Sequence, residues 1–246
     1  MSAPDRIVIV GGTSVIAVRA ARRWAEAGTT RLRLVGRDLG KLEAVAADLR
    51  LRAPELEVDC AALDLTDPVA AAAAIADSIE RLVPDVVLIA HGSMHEQSEM
   101  QRDLVLAADQ LISGGVSPVL WLEGFADAMH SGTIVAIGSP AGDRGRARNY
   151  LYGAAKAMLE HAVQGLQHRA AQSGGPRIVL VKPGPTRSPM TAHLDTSRMA
   201  EPDAIAVGIV RAAVTGRPVV YVPGIWRWIM LVVRSLPRGV FHRTRF

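Results

Sequence analysis

Short runs of consecutive apolar residues alternate along this chain with longer stretches in which apolar residues recur every three or four positions. The first kind reads as strands buried on both faces, the second as amphipathic helices. The predicted strands are residues 6–10, 31–35, 57–63, 85–90, 132–138, 176–181 and 218–222. Helices are expected from the glycine turn after Val10 through Ala27, then over 39–51, over the alanine-rich stretch after Asp67, and over 149–168 and 204–214. Asp38 and Asp67 stand where N-caps belong. Strands alternating with helices predict an α/β protein: one doubly wound parallel sheet of Rossmann type with helices on both faces. The 246 residues, 49% hydrophobic, suit one globular domain over residues 1–223, followed by a tail over 224–246.

Composition narrows the picture. A single cysteine, Cys60, excludes an internal disulfide framework and a cysteine-ligated zinc site. It is expected as a buried strand residue in a reducing compartment. The N-terminus lacks the shape of a signal peptide, and no apolar run approaches the roughly 20 residues of a membrane span. The expected location is cytoplasmic or peripheral on a membrane face. His91 and His95 are too few for a metal centre, so none is expected. The basic residues carry no nucleic-acid reading motif.

Candidate chemistry sits at strand ends. The first strand runs into Gly11, Gly12, Thr13 and Ser14 and then a helix, an opening that brings backbone close to a dinucleotide pyrophosphate at the helix N-terminus. The second strand ends at Val35 with no acid for ribose hydroxyls. Arg37 follows, and an arginine there holds a 2′-phosphate, which favours NADP(H) over NAD(H). Ser139 ends the strand 132–138, and Tyr152 and Lys156 follow as i,i+4 neighbours on one helix. A phenol titrates near about 10. A cation about 4 Å away contributes roughly 4 kcal/mol at an effective dielectric near 20, or about three pKa units. Tyr152 is therefore expected to be lowered into the range of general acid–base work.

Ser139, Tyr152 and Lys156 at this spacing, behind that glycine turn, resemble the short-chain dehydrogenase/reductase family over the whole chain. The resemblance implies catalytic roles for Ser139, Tyr152 and Lys156. It implies cofactor contacts from Gly11, Gly12, Thr13, Ser14, Ile16, Arg37, Asp64, Leu65, Ala90, His91, Gly92, Tyr152, Lys156, Pro183, Gly184, Thr186 and Ser188. Asp64 and Leu65 match the adenine-contacting position, and Ser188 stands for the threonine that touches the nicotinamide amide. His91, Asn149 and His193 are the expected substrate contacts, the last in a substrate-covering loop over 187–199. The chain departs from the family in its glycine loop, which appears one residue shorter, with Val15 and Ala17 near the later glycines. The family's catalytic asparagine is missing near Gln110–Ser113, and Asn149 is the chain's only asparagine. Gly114 and Gly115 are expected to supply the helix irregularity that the asparagine normally accompanies.

No acid follows Asp203, so the net charge of +4 hides a basic tail holding two of the four tryptophans. Arg227, Arg234 and Arg238 fall on one helical stripe among apolar residues, as on a basic amphipathic helix at a membrane interface; packing on a partner subunit is the alternative. Several segments resemble the branch of the family that reduces decaprenylphosphoryl-2-keto-erythro-pentose: the Gly-Gly-Thr-Ser turn, the segment 141–153, the segment 187–194 and the tail. That resemblance implies a lipid-linked ketosugar, cell-envelope biosynthesis, a homo-oligomer and pairing with an upstream oxidase. A reductase of a soluble nucleotide sugar or small ketone, and a non-catalytic cofactor sensor, stand as alternatives.

Overall fold

The computed structural model describes residues 3–188, 191 and 199–244. All seven expected strands are present: β1 Arg6–Val10, β2 Arg31–Gly36, β3 Glu57–Ala62, β4 Val86–Ile89, β5 Thr133–Ile137, β6 Arg177–Pro183 and β7 Val219–Val222. The helices are α1 Val15–Glu26, α2 Leu39–Arg52, α3 Pro68–Leu82, α4 Gln97–Met100, α5 Leu104–Leu111, α6 Ser117–Ala128, α7 Tyr150–Ser173, α8 Pro202–Thr215, α9 Ile225–Ser235 and α10 Arg238–Phe241. The strands pair in parallel in the order β3-β2-β1-β4-β5-β6-β7.

Strand periodicity explains the two layers. Ile7 and Ile9 of β1 point into the core shared with α1, α2 and α8. Val8 and Val10 point the other way, toward α3, α6 and α7. Asp38 caps α2 by accepting from Lys41 N (3.1 Å), and Asp67 caps α3 by accepting from Val69 N (2.8 Å). The chain adds β2 and β3 on one side of β1, then β4 on the other, so the sheet switches direction at β1 and β4. Ligand crevices of open α/β sheets form at such a point, outside the carboxyl ends of the strands.

Four expectations change. Residues 104–128 form a continuous helical stretch whose length and apolarity match a membrane span. It packs as a core element, with Trp121, Leu122 and Phe125 fully buried. Cys60 lies half-buried on the edge strand β3, where burial and Glu43 push its thiol up to about 11. The tail is two helices, because Pro237 cannot continue α9 and restricts the residue before it. Arg238 therefore leaves the stripe shared by Arg227 and Arg234.

Candidate active site

A cleft of about 800 Å³ opens above the carboxyl ends of the central strands. Gly11 has φ 87°, and a Cβ there would meet His91 N at 2.7 Å, so the turns after β1 and β4 touch. The Gly11 and Gly12 amides donate to Val35 O (2.8 and 3.0 Å). The first bond of α1 is Val18 N to Ser14 O (2.8 Å), which leaves the amides ahead of Val18 at an open helix N-terminus. Gly11, Thr13, Ser14 and Ile16 line the cleft beside that terminus. Gly12 does not: a Cβ on it would meet Leu34 and Leu42 at 3.1 Å, so it serves packing between β2 and α2. Arg37, Asp64 and Leu65 line the same end, joined by Lys41, one turn into α2, which sequence reading passed over. Hydrogen bonds from Thr66 hold the Asp64 carboxyl below the usual carboxylate range.

Ser139, Tyr152 and Lys156 meet at the other end of the cleft. Ser139 follows β5 in extended conformation, and its Oγ accepts from Ala141 N (3.1 Å) and hydrogen-bonds the Tyr152 phenol. Lys156 Nζ lies 5.9 Å from the Tyr152 ring centroid and donates to Ile137 O (3.1 Å). The expected lowering of Tyr152 does not occur. Burial dominates and raises the phenol, against smaller opposing effects of Ser139 and Arg146. Burial also brings Lys156 down to about 8. Tyr152 thus holds its proton at neutral pH, as a proton donor must.

The expected irregularity is a π-turn, Ile112–Val116. It packs against α7, where a Cβ on Gly115 would meet Ala155 Cα at 3.1 Å. A Cβ on Gly92 would stand 3.6 Å from both Ser113 O and Lys156 Nζ, so the π-turn and Lys156 border the same spot beside Gly92. Ala90, His91 and Gly92 line the cleft between the two ends. Ser117 Oγ donates to Leu65 O (2.6 Å), so His91 Nε2 must carry the hydrogen of its own 2.8 Å bond to Ser117 Oγ. Burial lowers His91 to about 3, leaving it neutral with Nδ1 a buried acceptor that has no partner among the described residues.

The sequence matches the short chain dehydrogenase family over residues 5–198. The chain is a short-chain dehydrogenase/reductase. It is 31% identical to an uncharacterized oxidoreductase of Streptomyces coelicolor, over 98% of this chain and 96% of that protein. It is 32% identical to an uncharacterized oxidoreductase of Mycobacterium tuberculosis, over 96% of each. In fold it is similar to a short chain dehydrogenase from Burkholderia cenocepacia in complex with NADP, with TM-score 0.85, 16% identity and 100% of both chains covered. The membership makes the short-chain dehydrogenase/reductase an NAD(P)-dependent oxidoreductase, and the donor set of its cleft fits such a cofactor. The open α1 amides at one end of the cleft are donors that would hold a pyrophosphate, and Lys156 and the β6 loop lie at its other end.

Pro183, Gly184, Thr186 and Ser188 of this short-chain dehydrogenase/reductase line the cleft beyond β6. Gly184 lies beneath Trp226, whose indole a Cβ on Gly184 would overlap. Trp226 therefore forms part of the cleft wall. Asn149, the residue before α7, lines the cleft with a buried Oδ1 that has no hydrogen-bond partner among the described residues. His193 and most of the loop 187–199 lie outside the described residues. Arg146 and Arg148 also line the cleft, and sequence reading gave them no role. Their signal was the alternation Arg144, Arg146, Arg148 directly before the helix that carries Tyr152 and Lys156. Arg144 turns the other way and donates to Val233 O and Leu236 O (2.5 and 2.7 Å) at the end of α9, stacking on Phe241 at 3.8 Å.

Proposed function

We propose that this enzyme uses NADP(H) to reduce the ketone of a sugar carried on a polyprenyl phosphate, in cell-envelope biosynthesis. The observation that carries the reductase reading is the buried, protonated Tyr152 beside Ser139 and Lys156. Arg37 and Lys41 at the adenosine end support NADP(H), as does the NADP in the Burkholderia structure. The sugar is supported by the resemblance of the turn 11–14, the stretch 141–153, the segment 187–194 and the tail to that branch of the family. Support for a membrane-bound substrate comes from α9, whose Ile225, Trp228, Leu231 and Val232 are exposed while Met230 and Val233 are buried.

The reduced nicotinamide supplies a hydride when bound. Ser139 hydrogen-bonds and orients the ketone oxygen. Tyr152 donates its proton to that oxygen as charge develops there. Lys156, titrating near 8, restores the proton. Ser113 O, carried by the π-turn and bordering Gly92 as Lys156 does, is the acceptor that would stand in for the missing asparagine side chain in a relay to solvent.

The test is NADPH oxidation by the wild type and Tyr152→Phe with a polyprenyl-phosphate ketosugar and its water-soluble headgroup. Tyr152→Phe should lower kcat by about 10²–10⁴-fold while cofactor binding persists. More than about a tenth of wild-type kcat would remove Tyr152 from the role of acid. NADH serving as well as NADPH would overturn the cofactor preference. Equal kcat/KM for headgroup and lipid conjugate would move the substrate to the soluble class.

A further inference from the structure

A second buried lysine, Lys182 of β6, is 1% exposed and lies outside the cleft. Its ammonium donates to Asp143 Oδ1, to Glu160 Oε1 (2.6 Å) and to the Tyr221 hydroxyl (3.4 Å). Tyr221 in turn donates to Asp143 Oδ2 (2.8 Å), so both oxygens of a fully buried carboxylate are bonded. Burial opposes the Lys182 charge, but the two carboxylates outweigh it and hold the group above its ordinary range. Lys156, bonded to a carbonyl instead, goes the other way. One buried lysine is poised to exchange a proton, and the other keeps its charge.

The partners of Lys182 come from three elements. Asp143 ends the 3₁₀ turn Pro140–Gly142 that follows Ser139. Glu160 stands on α7, one turn beyond Lys156 and two beyond Tyr152. Tyr221 lies opposite Lys182 on β7. The turn after Ser139 also presses on α7 between the reacting groups. A Cβ on Gly153 would meet Ala141 O at 2.8 Å, and one on Gly142 would meet Lys156 C at 2.9 Å. Ser139 Oγ accepts from Ala141 N within that turn (3.1 Å), so a shift of the turn carries Ser139 with it.

We propose that Lys182 is a positioning residue: it ties the turn after Ser139, through Asp143, to the helix of Tyr152 and Lys156, through Glu160, and so holds Ser139 Oγ in register with the Tyr152 phenol. Packing limits how close the turn can come to α7, and the charge-assisted bonds keep it there. A misplacement of about 1 Å in a reacting constellation costs about 10²-fold in rate. The effect on rate rests on the reductase reading, but the Ser139–Tyr152 contact itself can be observed without turnover.

The chain has three tyrosines, Tyr150, Tyr152 and Tyr221, so carbon-13 at the tyrosine Cζ gives three NMR resonances, assignable by a Phe variant at each position. Ser139→Ala marks where the Tyr152 signal goes when its hydrogen bond is lost. Lys182→Met in the full chain should move the Tyr152 signal the same way, and should move it no further once Ser139 is alanine. In NADPH oxidation with 2-keto-erythro-pentose, Lys182→Met should lower kcat by about 10–10²-fold and leave KM for NADPH within about twofold. That loss should largely disappear in the Ser139→Ala background, because residues acting as one unit are not additive. A Tyr152 signal unmoved in folded Lys182→Met overturns the proposal, and so does an equal rate loss with and without Ser139. Removing one member of a buried ion pair can unfold a protein. If Lys182→Met does not fold, Asp143→Asn, which keeps the shape and removes the charge, carries the same measurements, and a Tyr152 signal unmoved there overturns the proposal as well. If the wild type reduces nothing while its Tyr152 signal still answers to Lys182, the tie is supported and the reductase reading fails for that ketone.

Discussion

At the scale of the residue, burial decides more than spacing. Tyr152 and Lys156 stand one helical turn apart, yet desolvation governs both. The Lys156 ammonium, brought from 10.5 to about 8, is a charge held against its environment. Its folded pKa lies below its unfolded value, so below pH 8 the unfolded chain binds the proton more tightly and the native state is penalised. That penalty fades as pH rises from 8 toward 10.5. Lys156→Met should therefore stabilise the fold at pH 7, by up to about 3 kcal/mol, and by much less at pH 10. Urea midpoints at the two pH values check this, and an equal gain at both would show that the lysine is not held against its charge. His91 gives a second residue-scale result. Its hydrogen position follows from Ser117 already donating to Leu65 O, a constraint that no sequence pattern carries.

At the scale of the element, α9 belongs to the site. Its first turn brings Trp226 over Gly184, and its last carbonyls receive Arg144, the loop residue next to the buried Asp143. A cation at a helix C-terminus is favoured by the exposed carbonyls and the helix dipole. Arg144→Ala should cost about 1.5–3 kcal/mol locally, the worth of hydrogen bonds to a charged group. The expected result is faster tryptic cleavage at Arg227 and Arg234, and a raised KM as Trp226 leaves the wall. Unchanged proteolysis would mean that Met230 and Val233 alone hold the helix. The π-turn is likewise an element-level device. Gly114 and Gly115 let it press on α7 beside Lys156, which the double glycine made legible in the sequence, while the missing asparagine alone suggested a lost relay.

At the scale of the whole molecule, one outer face joins the cleft to a hydrophobic, basic surface. Ile225, Trp228, Leu231 and Val232 lie exposed on α9, and the described part of the tail adds Arg227, Arg234, Arg238 and Arg243 without an acid. Each basic residue near an anionic bilayer contributes about 1 kcal/mol, screened by salt. Full-length protein should sediment with anionic vesicles at low salt, and far less with neutral ones. The double variant Trp228→Ser/Leu231→Gln should lose this binding while keeping its Tm, since both side chains are exposed. No vesicle binding, with a concentration-dependent dimer that the double variant abolishes, would assign the face to a second copy of the chain.

The sequence by itself determined the seven strands, five of the helices between them, the two caps and the spacing of the reactive trio, because each is written in local periodicity or short spacing; the three helices between β4 and β5 were not read from it. Ser139 had to end a strand, and Tyr152 and Lys156 had to share a helix face, whatever the rest of the chain did. Family membership followed from the same local signals. Only the tertiary structure decided what surrounds those groups. It turned Gly12 into a packing residue and swung Trp226 inward. It aimed Arg146 and Arg148 into the cleft while Arg144 clamps the tail. Each of these depends on which distant segments meet, and burial, the quantity that sets the Tyr152 and Lys156 titrations, is a property of that meeting alone.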